Sequence, residues 1–181
     1  MKIAITGITG YLGQILCKRL EKDKSVKKII GIDVKAPPAS KKLTFIQRDI
    51  RDKVIQSDLK GCDALVHLAF VVKPIHNIQR MQDIDINGTN NILESAHRSG
   101  IKQVIAISST LAYGAHPDNP KKLKENNNFF FINHLQISMI LSKSFFVRIT
   151  LTGLPLVSTI YFFLTLTIKG CLCFIVQYYK N

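Results

Sequence analysis

No acidic residue occurs after Glu125, although the chain runs to 181 residues. All 12 Asp and Glu lie at or before that position, with 21 of the 25 Lys and Arg. Folded soluble surfaces normally mix both signs of charge, so residues 126–181 stand apart from the rest. Cysteine is scarce. Cys17, Cys62, Cys171 and Cys173 form neither a C-x-x-C pair nor a ligand set with histidine. That pattern speaks against a disulfide scaffold and against a metal centre, and it suits reduced thiols in a cytoplasmic protein. The chain opens directly on a strand pattern, Lys2 to Thr6, so a signal peptide is not expected. The net charge of +13 is spread over scattered lysines with no nucleic-acid motif, so a nucleic-acid partner is not expected. A positive field of this kind attracts phosphate-rich small molecules instead. Finally, no tyrosine lies between Tyr113 and Tyr161.

What is present begins at residue 6. The apolar run Ile3-Ala4-Ile5 leads into Thr6-Gly7-Ile8-Thr9-Gly10-Tyr11-Leu12-Gly13, and residues 14–20 have helical spacing. Strand, glycine turn and helix in that order favour a dinucleotide site. Gly7 permits a tight turn at positive φ. Gly10 lets the backbone approach a pyrophosphate, and Gly13 lets the helix pack against the strand. The N–H groups of Tyr11, Leu12 and Gly13 then face the phosphates at the positive end of the helix dipole. A second strand, Val26 to Asp33, ends in an acid 20 residues after Gly13. That is where a ribose-binding carboxylate belongs. Asp33 would accept from both ribose hydroxyls and repel a 2′-phosphate, which favours NAD over NADP.

Strand and helix signals alternate from residue 1 to about residue 110. Leu43 to Gln47 reads as a third strand running to Asp49, and Lys53 to Leu59 as a short helix. Asp63 to Ala69 reads as a fourth strand, nearly continuous in apolar residues, as suits a strand buried on both faces. Asn77 to Ser99 carries helical periodicity, with Ile84, Gly88, Asn91, Ile92 and Ala96 on one face and Gly100 as the stop. Lys102 to Ser109 reads as a fifth strand. Repeated βα units predict an α/β fold, a doubly wound parallel sheet with the ligand outside the carboxyl ends of the strands.

These motifs, in this order, resemble the extended short-chain dehydrogenase/reductases, the NAD-dependent epimerase/dehydratases. The resemblance covers about residues 1 to 125, a Rossmann-like domain. Thr6-Gly7-x-x-Gly10-x-x-Gly13 resembles the family's cofactor loop. Asp49-Ile50 is similar to its adenine-contacting pair after the third strand. His67-Leu68-Ala69-Phe70 is similar to its HLAA segment, so Leu68, Ala69 and Phe70 are implied to border the cofactor. Asn87-Gly88-Thr89 resembles its N-x-x-G-T region in compressed form. Ser108-Ser109-Thr110-Leu111-Ala112-Tyr113-Gly114 resembles its SS-x-x-x-YG segment, which implies that Ser109 polarises the reacting hydroxyl or carbonyl. The implied substrate is a small molecule such as a nucleotide sugar, and a homodimer is implied as possible.

The resemblance then breaks. The family's Y-x-x-x-K motif supplies the tyrosine that exchanges a proton and the lysine that lowers its pKa. Ser142-Lys143 resembles the end of that motif, which makes Lys143 a catalytic candidate, but Met139 stands in the tyrosine position. A thioether cannot exchange a proton. His134 is not followed by lysine four residues on. Residues 149–168 form a 20-residue run without charge, flanked by Arg148 and Lys169, with Gly153, Pro155 and five threonines inside it. At 1.5 Å per residue such a run is long enough for a bilayer core. Three readings of the tail stand side by side: a truncated or frameshifted product after about Glu125, a membrane segment that would make the protein membrane-associated, and divergent remaining sheet and helix. Without the tyrosine, an enzyme and a non-catalytic dinucleotide-binding protein are both open.

Overall fold

The computed structural model describes residues 1–71, 75–107, 118 and 120–122, with the backbone of 176–178. Five parallel strands form the sheet, and helices join all consecutive pairs but the second and third. They are β1 (Lys2–Thr6), β2 (Lys28–Asp33), β3 (Leu43–Gln47), β4 (Ala64–His67) and β5 (Gln103–Ile107). A short strand β6 (Val176–Tyr178) runs antiparallel beside β5. The sheet order is β3-β2-β1-β4-β5-β6. Chain order therefore reverses between β1 and β4, and a doubly wound sheet opens its ligand crevice at such a reversal.

The period-2 alternation of each strand divides the core between the two faces of the sheet. Ala4, Ile30, Ile32 and Leu65 join Ile92 and Ala96 of helix α4 (Thr89–Arg98), together with Ile55 of α2 (Ile55–Asp58), on one face. Ile3, Ile5, Ile29 and Val66 join Cys17 of helix α1 (Tyr11–Lys22) on the other. Cys17 and Cys62 are both buried free thiols. Burial on both faces explains why β1, β2 and β4 read as nearly continuous apolar runs.

The helical stretch expected over 77–99 is not one uniform helix. Asn77 caps α3 (Ile78–Gln82) through its side chain, which accepts from the Arg80 N–H at 2.8 Å. The chain then passes through a π-helical turn, Asp83–Gly88, into α4. The extra residue of a π turn shifts the helical register. Gly88, Ile92 and Ala96 are buried, whereas Ile84 and Asn91 are only half-buried. The second strand begins at Lys28 rather than Val26, and the fifth begins at Gln103 and is described to Ile107, with Ser108 and Ser109 outside the described residues.

Candidate functional site

Gly7 has φ +72° and donates its N–H to the Ile32 carbonyl at 2.9 Å. A Cβ there would lie 2.7 Å from the Ala69 nitrogen and from the Leu68 carbonyl carbon. The turn out of β1 thus presses directly on the end of β4 and brings Gly7 together with Leu68 and Ala69. Gly13 is tighter still, since a Cβ would lie 2.4 Å from the Gly7 carbonyl oxygen. Helix α1 can begin here only because residue 13 lacks a side chain.

The start of α1 is open. Gly10 is its N-cap, no side chain caps it, and no acid sits in its first turn. The first intrahelical bond of this turn runs from Gln14 N–H to the Gly10 carbonyl at 3.0 Å. The N–H groups of Tyr11, Leu12 and Gly13 therefore have no acceptor one turn back. Uncapped donors at the positive end of a dipole, with Cβ-free backbone at Gly10, suit a pyrophosphate. Tyr11 itself is exposed.

Asp33 ends β2 beside this turn. Its Oδ2 accepts from the Thr9 N–H at 3.0 Å and the Thr9 hydroxyl at 2.7 Å. Its Oδ1 accepts from the Val34 N–H at 2.7 Å. The acid lies at the carboxyl edge, half-buried, next to the helix start.

Asp49 and Ile50 lie in the loop after β3. Arg51 grips Asp49 with two parallel bonds, Nε to Oδ1 at 3.0 Å and Nη2 to Oδ2 at 2.6 Å. It reaches Asp83 of the π turn with Nη1 at 2.7 Å. The Arg51 hydrogen bond is the main cause holding the Asp49 carboxyl below its usual range. Ile50 is buried, and a Cβ on Gly88 would lie 2.6 Å from its Cδ1. Asn91 completes the attachment, since its side-chain amide donates to the Ile50 carbonyl at 2.7 Å and the Asp52 carbonyl at 3.0 Å. Asn87 and Gly88 thus serve this loop: Asn87 binds Asp83 at 2.7 Å, and Gly88 makes room for Ile50.

Two buried polar residues carry roles that sequence reasoning left unassigned. His67 is fully buried between Thr6 Oγ1, 2.6 Å from Nδ1, and Thr89 Oγ1, 3.0 Å from Nε2. Burial pushes its pKa down to about 3, so the ring is neutral. It is a cross-brace between β1, β4 and α4, stacked at a tilt 5.0 Å from Phe70. Asp85 is buried in the π turn and accepts the Val71 N–H at 2.8 Å. Desolvation raises its pKa. The signal for Asp85 was present, an acid on the buried side of an apolar helix, but the π turn hid its phase. Among the described residues no cluster of His, Cys, Asp and Glu could hold a metal.

Ser109 and Lys143, the two catalytic candidates, lie outside the described residues, as do Met139 and the apolar run 149–168. Among the described residues, no helix is long and apolar enough to cross a membrane.

The sequence profile of the NAD dependent epimerase/dehydratase family matches residues 3–134. The chain belongs to that family. Among its relatives is an uncharacterized UDP-glucose epimerase, YtcB, of Bacillus subtilis, 29% identical over 154 residues, covering 71% of this chain and 45% of that protein. A uronate dehydrogenase of Pseudomonas putida is 29% identical over 114 residues, covering 62% and 42%. The chain thus spans less than half the length of these family members. The fold is also that of a UDP-glucuronic acid 4-epimerase from Bacillus cereus in complex with NAD. The TM-score is 0.71 at 21% identity, over 84% of this chain and 53% of that one.

Proposed function

We propose that the chain is an NAD-binding member of the epimerase/dehydratase family. The single observation that carries this reading is the uncapped, acid-free start of α1, set against the β1–β4 crevice with Asp33 beside it. The backbone from Gly7 to Gly13 would hold the pyrophosphate, Asp33 the adenosine ribose, and Asp49 with Ile50 the adenine. Leu68, Ala69 and Phe70, at the end of β4, would border the rest of the cofactor. A carboxylate at residue 33 disfavours the 2′-phosphate of NADP. NAD supplies hydride transfer to or from a hydroxyl or ketone carbon, in a substrate such as a nucleotide sugar. The name of the UDP-glucose epimerase relative supports that substrate class, and the name of the uronate dehydrogenase supports a sugar acid as the substrate.

Turnover in this family needs an acid/base beside the nicotinamide. The tyrosine expected four residues before Lys143 is Met139. Ser109 and Lys143 are the remaining catalytic candidates, and the chain is impaired in catalysis while retaining the cofactor. Its alternative function is therefore that of a dinucleotide-binding protein without turnover. Calorimetric titration with NAD tests binding. Hydride transfer on a panel of sugar nucleotides tests turnover. Binding without transfer is the expected result; no binding would overturn the proposal, and rapid transfer would restore a full enzyme.

A further inference from the structure

A carboxylate offers about four lone-pair positions, and in Asp33 the protein itself fills three. Thr9 takes both positions on Oδ2, through its N–H at 3.0 Å and its hydroxyl at 2.7 Å. The Val34 N–H takes one on Oδ1 at 2.7 Å. Two ribose hydroxyls need two acceptor positions, and one remains. Thr9 is also well fixed. It sits inside the Gly7–Gly10 turn, which is closed by the Gly10 N–H on the Gly7 carbonyl at 3.1 Å, and its own carbonyl accepts from the Gln14 side chain at 2.7 Å.

We propose that Thr9 is a specificity-determining residue of the dinucleotide site. Its hydroxyl occupies Oδ2, so Asp33 reads one hydroxyl of the adenosine ribose through Oδ1 rather than two through both oxygens. This rests on the NAD-binding reading above. The backbone N–H of Thr9 keeps the carboxylate oriented whatever the side chain, so removing the hydroxyl frees a position without releasing Asp33. Discrimination against NADP is independent of Thr9, because the full charge of Asp33 still opposes the 2′-phosphate.

The test is calorimetric titration of the full chain with NAD and with its 2′-deoxy and 3′-deoxy adenosine-ribose analogues. A hydrogen bond to a charged acceptor corresponds to about tenfold or more in affinity. The native chain is expected to lose about tenfold with one analogue and less than about twofold with the other. Thr9→Val is expected to bind NAD more tightly and to lose about tenfold with both. Thr9→Ser, which keeps the hydroxyl, is expected to reproduce the native pattern. Comparable losses with both analogues in the native chain would overturn the role of Thr9 while leaving NAD binding intact. That comparison needs no variant to fold. Failure of the native chain to bind NAD would instead overturn the proposed function, and this inference with it.

Discussion

The glycine turn after β1 and the loop after β3 lie at the same edge of the sheet, yet different forces hold them. The turn is fixed by close backbone approach: Gly7 against Leu68 and Ala69, and Gly13 against the Gly7 carbonyl. The loop is fixed by side chains, namely Arg51 between Asp49 and Asp83, and Asn91 on two carbonyls. Close backbone contacts tolerate no added atom but are indifferent to salt. Half-exposed ion pairs tolerate small changes of shape but are screened by salt. One edge thus joins a rigid, geometry-limited turn to a softer, charge-tuned loop.

The largest effect should come from the turn. Gly7→Ala forces a Cβ into backbone 2.7 Å away at φ +72°. It should cost about 3 kcal/mol of stability and abolish NAD binding. Gly100→Ala is its control, because Gly100 has nearly the same φ, +70°, with nothing within 4 Å. That change should cost about 1 kcal/mol, for strain alone. Chemical denaturation of both variants isolates the close approach, and equal losses would refute it.

Next in size is acid. Burial depresses the folded pKa of His67 to about 3, well below the ordinary imidazole value of 6.5. The unfolded chain therefore binds the proton more readily, and stability is lost as pH falls from about 6.5 towards 3. Asp85, whose pKa burial raises, works in the opposite sense: its contribution is lost as pH rises through the folded value. Asp85→Asn should consequently gain stability relative to the native chain as pH rises, and it should steepen the acid loss. Melting curves across pH check both slopes. A flat profile below pH 6.5 would remove His67 as the buried brace.

The smallest effect belongs to the ion pairs. Arg51→Gln should lower the melting midpoint slightly in low salt and hardly at all in high salt. It should weaken NAD more than stability, because Asp49 loses the partner that orients it. A salt-independent loss would place the loop with the turn rather than apart from it.

Much of this edge was legible in the sequence, because period and punctuation are local signals. Continuous apolar runs gave β1, β2 and β4. Gly7, Gly10 and Gly13 gave the turn, and the 20-residue spacing gave Asp33. The attachment of the β3 loop was not legible. Arg51 and Asp83 are 32 residues apart and Asn91 and Ile50 are 41 apart, so nothing local announces them. The π turn was hidden for a related reason: one extra residue shifts the helical phase without changing composition. The occupation of Asp33 by Thr9 was hidden because spacing predicts where a carboxylate lies, not which donors it has already met.

The most direct test of the central claim is calorimetric titration of the full chain with NAD and with NADP at one salt concentration. The account predicts binding of one NAD per chain and clearly weaker binding of NADP, because the carboxylate proposed to meet the adenosine ribose would repel a 2′-phosphate. Equal affinity for the two, or no heat of binding with NAD, would contradict it.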